Sequence, residues 1–150
     1  MICQIPMNLI RYNNEKHRAV YFCGDHYKKI WHTVDSSWVE NHVRELDLLL
    51  PGYVIAHGDN WINFKIVEGT PASEFPHTKE FVELIHNFCK RQILETAPLF
   101  HGDWTLSNMI INKDKITMVD WDNLGIYPID QVYKKMTADL KSAFGELYVF

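Results

Sequence analysis

Residues 101–123, HGDWTLSNMIINKDKITMVDWDN, decide how the rest of the chain is read. A polar loop from His101 to Asn108 leads into two short apolar runs, Met109 to Ile111 and Ile116 to Val119, around the turn-forming stretch Asn112-Lys113-Asp114-Lys115. This pattern predicts a small hairpin. The loop keeps Asp103 and Asn108 close together, and the returning strand lets Asp120 sit opposite Asn108. All three side chains carry hard oxygen atoms. A group that moves a phosphoryl unit needs a carboxylate beside the attacking hydroxyl, and oxygen ligands for a Mg²⁺ ion that bridges the phosphates. Asp103, Asn108 and Asp120 offer both.

The stretch resembles the catalytic segment of the kinase-like phosphotransferases, the superfamily of aminoglycoside phosphotransferases, choline kinases and related small-molecule kinases. Their pattern is His-Gly-Asp, four residues, Asn, then a hairpin ending in Asp-Trp-Glu or a close variant. Here it reads His101-Gly102-Asp103, Asn108 and Asp120-Trp121-Asp122. Five fixed positions at a background of roughly 5% each arise by chance in about 1 in 10⁴ to 10⁵ chains of this length. His57-Gly58-Asp59 repeats the tripeptide but has Phe64 five residues on, where the pattern needs Asn, and reads as an ordinary turn. The resemblance implies that Asp103 takes the acceptor proton, Asn108 and Asp120 hold Mg²⁺, and His101 orients the loop. The five Trp, seven Tyr and eight Phe read mostly as core, with an acceptor surface at Trp104 and Trp121, which flank the site, as the alternative.

Working outward, the first third reads as three strands, Ile5 to Tyr12, Ala19 to Cys23 and His26 to His32, around turns at Asn13-Asn14-Glu15-Lys16 and Gly24-Asp25. Helical spacing follows from Ser36 to Leu50, with Val39, Val43, Leu46 and Leu50 on one stripe before Pro51-Gly52. Strands Val54 to Ala56 and Trp61 to Val67 come next, and Glu68-Gly69-Thr70-Pro71 reads as a linker. A second helix, capped by Thr78 and ended by Pro98, carries Phe81, Leu84, Ile85 and Phe88 on its apolar stripe. A third follows Pro128 with Ile129, Val132, Tyr133, Met136, Leu140, Ala143 and Phe144 along one stripe, and Gly145 stops it.

This element order is also that of the kinase-like family. It implies an α+β, minimal two-lobed protein-kinase-like fold forming a single domain over 1–150. The N-lobe, about 1–67, has a five-stranded antiparallel sheet and one helix. A hinge at 67–71 leads to a mainly helical C-lobe at about 72–150 that carries the catalytic loop and the small hairpin. In the family a lysine on the third strand anchors the ATP phosphates. Lys28 and Lys29 compete, and alternation puts Lys29 on the more apolar face with Tyr27 and Trp31, so Lys29 is preferred. Its carboxylate partner is expected on the following helix. Spacing favours Glu40 over Glu45, although Ser37-x-x-Glu40 also reads as a capping box. Backbone groups of Val67, Glu68 and Gly69 would hold the adenine.

The composition agrees with a folded domain: 150 residues, 47% apolar, 23% charged. Fifteen Lys and Arg against nineteen Asp and Glu give a net charge of −4, which argues against nucleic acid or an anionic membrane as main partner. Cys3, Cys23 and Cys89 match neither a disulfide framework nor a zinc site and read as small buried thiols. No apolar run spans a bilayer and the first residues lack signal-peptide character, so a cytoplasmic location is expected. Two departures from the family stand out. The turn at residues 13–16 has no glycine to wrap phosphates, and only 28 residues follow Asp122, too few for the helices that usually build an acceptor pocket. The segment from Asn123 to Pro128 is likewise too short to grip a peptide as a protein kinase does. The expectation is an ATP- and Mg²⁺-dependent phosphotransferase acting on a small hydroxyl compound such as a sugar or amino alcohol, with a homodimer covering the exposed cleft wall. The alternative is a nucleotide-binding pseudokinase acting through a partner protein.

Overall fold

The structure, a computed structural model, describes residues 8–13 and 18–150. It is an α+β protein with antiparallel sheets and three α-helices, and it divides into two compact units, 1–66 and 67–150. Ile5 to Met7, the turn at residues 14–16 and Cys3 lie outside the described residues.

The first unit is a five-stranded antiparallel sheet in the order β1-β2-β3-β5-β4. Its strands are β1 (Asn8–Asn13), β2 (Arg18–Phe22), β3 (His26–Trp31), β4 (Val54–His57) and β5 (Trp61–Lys65). Helix α1 (Ser36–Leu49) joins β3 to β4 and buries Val39, His42, Val43 and Leu46. This stripe at i, i+3, i+4, i+7 is the amphipathic pattern of the sequence with one addition, His42, on the apolar face. The helix is not opened by the Ser37 capping box. Asp35 is the N-cap, its carboxylate accepting from the Trp38 backbone N–H at 3.0 Å and from the Ser37 hydroxyl at 2.7 Å. The cap is thus an aspartate two residues before Ser37, and it meets an orphan donor of the first turn.

The second unit begins with β6 (Thr70–Pro71), which pairs with β7 (Met109–Asn112), itself paired with β8 (Lys115–Met118). The expected hairpin is therefore the core of a three-stranded sheet, and the last two residues of the expected linker are its edge strand. Proline is tolerated there because an edge strand has no second neighbour to receive its missing N–H. Gly69, just before, has φ +140° and approaches β7 so closely that a Cβ would lie 2.5 Å from the Ile111 carbonyl oxygen.

Helix α2 (Lys79–Thr96) starts as expected, Thr78 Oγ1 accepting from the Phe81 N–H at 3.1 Å. Its buried face is Val82, Ile85, His86, Phe88, Cys89 and Ile93. The sequence stripe was centred slightly off, because Leu84 is 49% exposed while Val82 and Cys89 point inward. Helix α3 (Ile129–Phe144) buries Val132, Met136, Leu140 and Phe144 of the expected stripe, leaves Ile129 50% exposed and Tyr133 and Ala143 half-buried, and ends at Gly145, φ +59°, as expected. Cys23 and Cys89 are buried and unpaired with each other. Burial pushes the Cys89 thiol far above its ordinary pKa, so it is protonated and inert. No helix among the described residues is long and apolar enough to cross a membrane.

Candidate functional site

The loop after α2 is built around one buried ring. His101 is fully buried and uses both nitrogens: Nε2–H donates to the Val119 carbonyl at 2.7 Å, and Nδ1 accepts from the Asp103 backbone N–H at 3.2 Å. These partners fix the neutral tautomer with its proton on Nε2. The imidazole thus ties the backbone of Asp103 to the residue before Asp120, across 18 positions of sequence. The orienting role expected of His101 has a direct geometric basis.

Around this strut the neighbouring turns fix the three oxygen-bearing residues. Gly102 has φ +84°, and a Cβ on it would lie 2.8 Å from the Asn123 carbonyl oxygen. Only glycine fits both the left-handed backbone and the close approach. Phe100 and Gly125 exchange backbone hydrogen bonds at 2.8 and 3.1 Å, pinning the residue before the loop to the segment after Asp122. A short 3₁₀ turn, Leu106–Asn108, delivers Asn108 to the hairpin. There its carbonyl accepts from the Val119 N–H at 2.8 Å, one step beyond the Met109–Met118 pair. Asp120 follows directly, so the ladder places Asn108 and Asp120 at the same end of the hairpin.

Two details mark this end of the hairpin as unusual. Asp120 has φ +61°, a left-handed conformation that non-glycine residues adopt rarely and that concentrates at functional sites. Asn108 is buried, yet its amide nitrogen Nδ2 has no hydrogen-bond partner among the described residues. Buried amides are nearly always satisfied, so this donor is available to a ligand. Among the described residues no three His, Cys, Asp or Glu side chains gather into a metal cage. Asn108 and Asp120 bring one amide oxygen and one carboxylate to this end of the hairpin.

Helix α3 holds the loop from the other side. Asp139 accepts from the Trp104 backbone N–H at 3.0 Å through Oδ2 and from the Lys135 ammonium at 2.6 Å through Oδ1. Sequence reasoning missed Asp139. Its signal was an acidic residue between the buried Met136 and Leu140, four residues after Lys135. The tryptophans beside the site are core and not surface: Trp104 is 0% and Trp121 2% exposed. Trp121 packs against His101 with centroids 4.6 Å apart and donates Nε1–H to the Met118 carbonyl at 3.0 Å. Both follow the core reading of the aromatic residues and not the alternative of an acceptor surface.

In the first unit Lys29 lies in a buried cross-strand row with Val20 and Ile62, and its ammonium sits 5.4 Å from the Phe64 ring centroid. Lys28 instead rests on Trp61, 4.5 Å from the ring centroid. On α1, Glu40 is exposed and Glu45 half-buried. The residue brought towards Lys29 is His42, stacked on Trp38 at 4.8 Å and edge-on to Trp31 at 6.4 Å. Burial, with the Lys29 charge adding to it, pushes the His42 pKa down to about 4, so the ring is neutral at pH 7. A histidine on the Val39, Val43, Leu46 stripe was the signal for it. Val67 is half-buried and Glu68 exposed, and the glycine at 69 answers to its packing on Ile111.

No family model matches the chain, and no curated protein matches it. Among solved structures it is similar to WbdD. The crystal structure of monomeric WbdD is 17% identical over 87% of this chain and 38% of that chain, with a TM-score of 0.54. A high-resolution crystal structure of WbdD is 15% identical over 91% of this chain and 37% of that one, with a TM-score of 0.59. At these identities the likeness is one of fold. The chain spans less than two fifths of the WbdD chains it matches.

Proposed function

We propose that this chain is a kinase-like phosphotransferase that moves the γ-phosphoryl group of ATP to a hydroxyl of a small molecule. The observation that supports the reading is the His101 strut, which joins the backbone of Asp103 to the hairpin end bearing Asn108 and Asp120. A loop serving only as a connection has no need of a buried ring that ties its backbone to the returning hairpin.

In this reading Asp103 accepts the proton of the acceptor hydroxyl as the oxygen attacks phosphorus. Asn108 and Asp120 supply hard oxygen ligands, a set that suits Mg²⁺, which commonly takes one or two protein ligands and fills its shell with water and phosphate oxygens. When bound, Mg²⁺ would neutralise charge on the phosphates. The left-handed backbone at Asp120 aims its carboxylate at the cost of local strain. Asp139 holds the peptide after Asp103 and keeps the loop from relaxing. The family resemblance further assigns Lys29 to the ATP phosphates and the backbone of Val67, Glu68 and Gly69 to the adenine.

Release of ADP from Mg·ATP in the presence of a library of hydroxyl compounds, with acceptor-free hydrolysis as blank, tests the reaction. Mg·ATP should also raise the melting temperature, by about 2.7 kcal/mol of stabilisation at 100 times its Kd, and ATP with EDTA should do so much less. Equal stabilisation with and without metal would reject the assignment of Asn108 and Asp120. Metal-dependent binding with no acceptor ever phosphorylated would favour the nucleotide-binding regulatory module instead.

A further inference from the structure

The antiparallel bridge between Phe100 and Gly125 breaks off one step before Asp103. Residues that exchange both backbone bonds recur at every second position of an antiparallel pair, so the next such partners are Gly102 and Asn123. Among the described residues that exchange is not made. Gly102 is left-handed, φ +84°, which turns its N–H out of the ladder. It sets a Cα–H against the Asn123 carbonyl oxygen instead, where a Cβ would lie 2.8 Å away. The carbonyl, left without its ladder donor, accepts from the Tyr127 hydroxyl.

The surrounding chain is shaped for this contact. The Leu124 N–H donates to the Trp121 carbonyl at 3.0 Å, which doubles the segment back. The Tyr127 ring then lies over Gly125, where a Cβ would be 3.2 Å from the hydroxyl oxygen and 3.3 Å from the ring. Tyr127 is itself 39% exposed, so burial of its ring does not account for its placement. Gly102 leads into Asp103, whose N–H reaches the His101 Nδ1 at 3.2 Å. That bond is at the long end of its range, and it needs the left-handed turn at Gly102 to form at all. The Asp103 peptide is thus held from inside by a buried ring and, through Gly102, from outside by an oxygen tied to Tyr127.

We infer that Tyr127 is a positioning residue for Asp103, acting through the Asn123 carbonyl and Gly102. It touches no reacting atom. Its hydroxyl replaces the donor that a regular ladder would supply, and so keeps the Asn123 oxygen braced against the turn that aims Asp103. Its effect on phosphoryl transfer rests on Asp103 being the acceptor-side base, as proposed above, whereas its hold on the loop does not.

Tyr127→Phe keeps the ring over Gly125 and removes only the donor. In the ¹⁵N-labelled full chain this change should speed amide exchange at Asp103 about fivefold, the factor that one hydrogen bond of about 1 kcal/mol represents. Phe100, held by its own bonds to Gly125, should keep the parental rate. 4-Aminophenylalanine at position 127 donates from the same place and should restore the Asp103 rate, whereas 4-methoxyphenylalanine, which cannot donate, should not. With an acceptor that is turned over, Tyr127→Phe should lower kcat about fivefold and leave KM for ATP unchanged, a split that general loosening of the fold would not give. Parental Asp103 exchange in Tyr127→Phe would overturn the brace whatever the activity. Equal acceleration at Phe100, or no rescue by 4-aminophenylalanine, would overturn it too. Faster exchange with an unchanged kcat would overturn the positioning role. Intact transfer in Asp103→Asn would overturn the proposed base and with it the effect on kcat, while the exchange rates still decide the brace.

Discussion

The tripeptide His-Gly-Asp occurs twice in this chain, and its two copies do different things. In the first unit His57 ends β4, exposed and paired in the sheet with Ile62, and Gly58 and Asp59 make the turn into β5. In the second unit His101 is fully buried with both ring nitrogens bonded, Gly102 is left-handed, and Asp103 is held by the ring before it. The letters are identical, and the surroundings decide. At residues 57–59 the neighbours are strand and turn residues that leave the histidine exposed. At residues 101–103 the neighbours are Trp104, Trp121 and a hairpin that returns to put the Val119 carbonyl over the ring. A motif of three residues carries chemistry only where a second segment comes back to meet it.

The contrast is sharpest in activity. Asp103→Asn is nearly isosteric and should cut phosphoryl transfer by about 10² to 10⁴, the usual effect of losing a positioned base, while Asp59→Asn leaves it unchanged. Steady-state ADP release on the two purified variants measures this. Comparable losses in both would mean that neither tripeptide is the acceptor-side carboxylate.

Stability should follow the same division. His101→Ala removes a fully buried ring and two hydrogen bonds, and should cost about 3 kcal/mol, a drop in Tm of roughly 6–12 °C in a chain of this size. His57→Ala, at an exposed strand end, should stay within about 0.5 kcal/mol. Thermal melts of equal Tm would break the comparison.

His42 extends the comparison to a buried histidine outside either motif. Its pKa is about 4 in the fold and near 6.5 when unfolded, so the unfolded chain binds the proton first as pH falls. The stability that this ring contributes is complete above about pH 6.5 and is lost towards pH 4, amounting to about 2 kcal/mol by pH 5. His42→Phe keeps the stack on Trp38 and removes the titration. Urea midpoints at pH 7 and pH 5 should converge by that amount in the variant relative to the parent. An unchanged gap would mean that His42 is solvated.

The smallest contrast lies in the glycines. Gly102→Ala forces a side chain into a left-handed position 2.8 Å from backbone oxygen and should cost about 2 kcal/mol. Gly58→Ala meets only the Trp61 indole, 2.1 Å away, which can swing aside and give up its contact with Lys28 for about 1 kcal/mol. Chemical denaturation resolves the two. A larger loss at Gly58 would mean that Trp61 is fixed.

Most of the scaffold was legible because its signals are local. Alternation marked β3 and β5, the 3.6-residue period marked all three helices, and Thr78, Pro128 and Gly145 marked their ends as found. What was misread depends on contacts distant in sequence. Thr70–Pro71 is a strand only because β7 lies beside it, and Leu84 is exposed because tertiary packing turns α2 by a fraction of a turn. Asp35 rather than Ser37 caps α1, a choice between two good caps that propensity cannot separate. The candidate site shows the same split. The spacing of Asp103, Asn108 and Asp120 is written in the sequence, but Asp139 and His42 act through folds of the chain that bring them to the Trp104 backbone and to the strand bearing Lys29. The burial of Trp104 and Trp121 agrees with the reading of the aromatic residues as core, but that they shelter a histidine depends on the fold.

The neutral tautomer of His101 makes the loop observable in solution. A ring proton on Nε2 that is sealed from water and shared with a carbonyl at 2.7 Å should exchange slowly enough to give its own resonance, well downfield of the amides. That single line would persist while the loop is closed over Val119 and broaden once the segment opens. The ring that fixes Asp103 and the hairpin is therefore also a spectroscopic clock for how often they part.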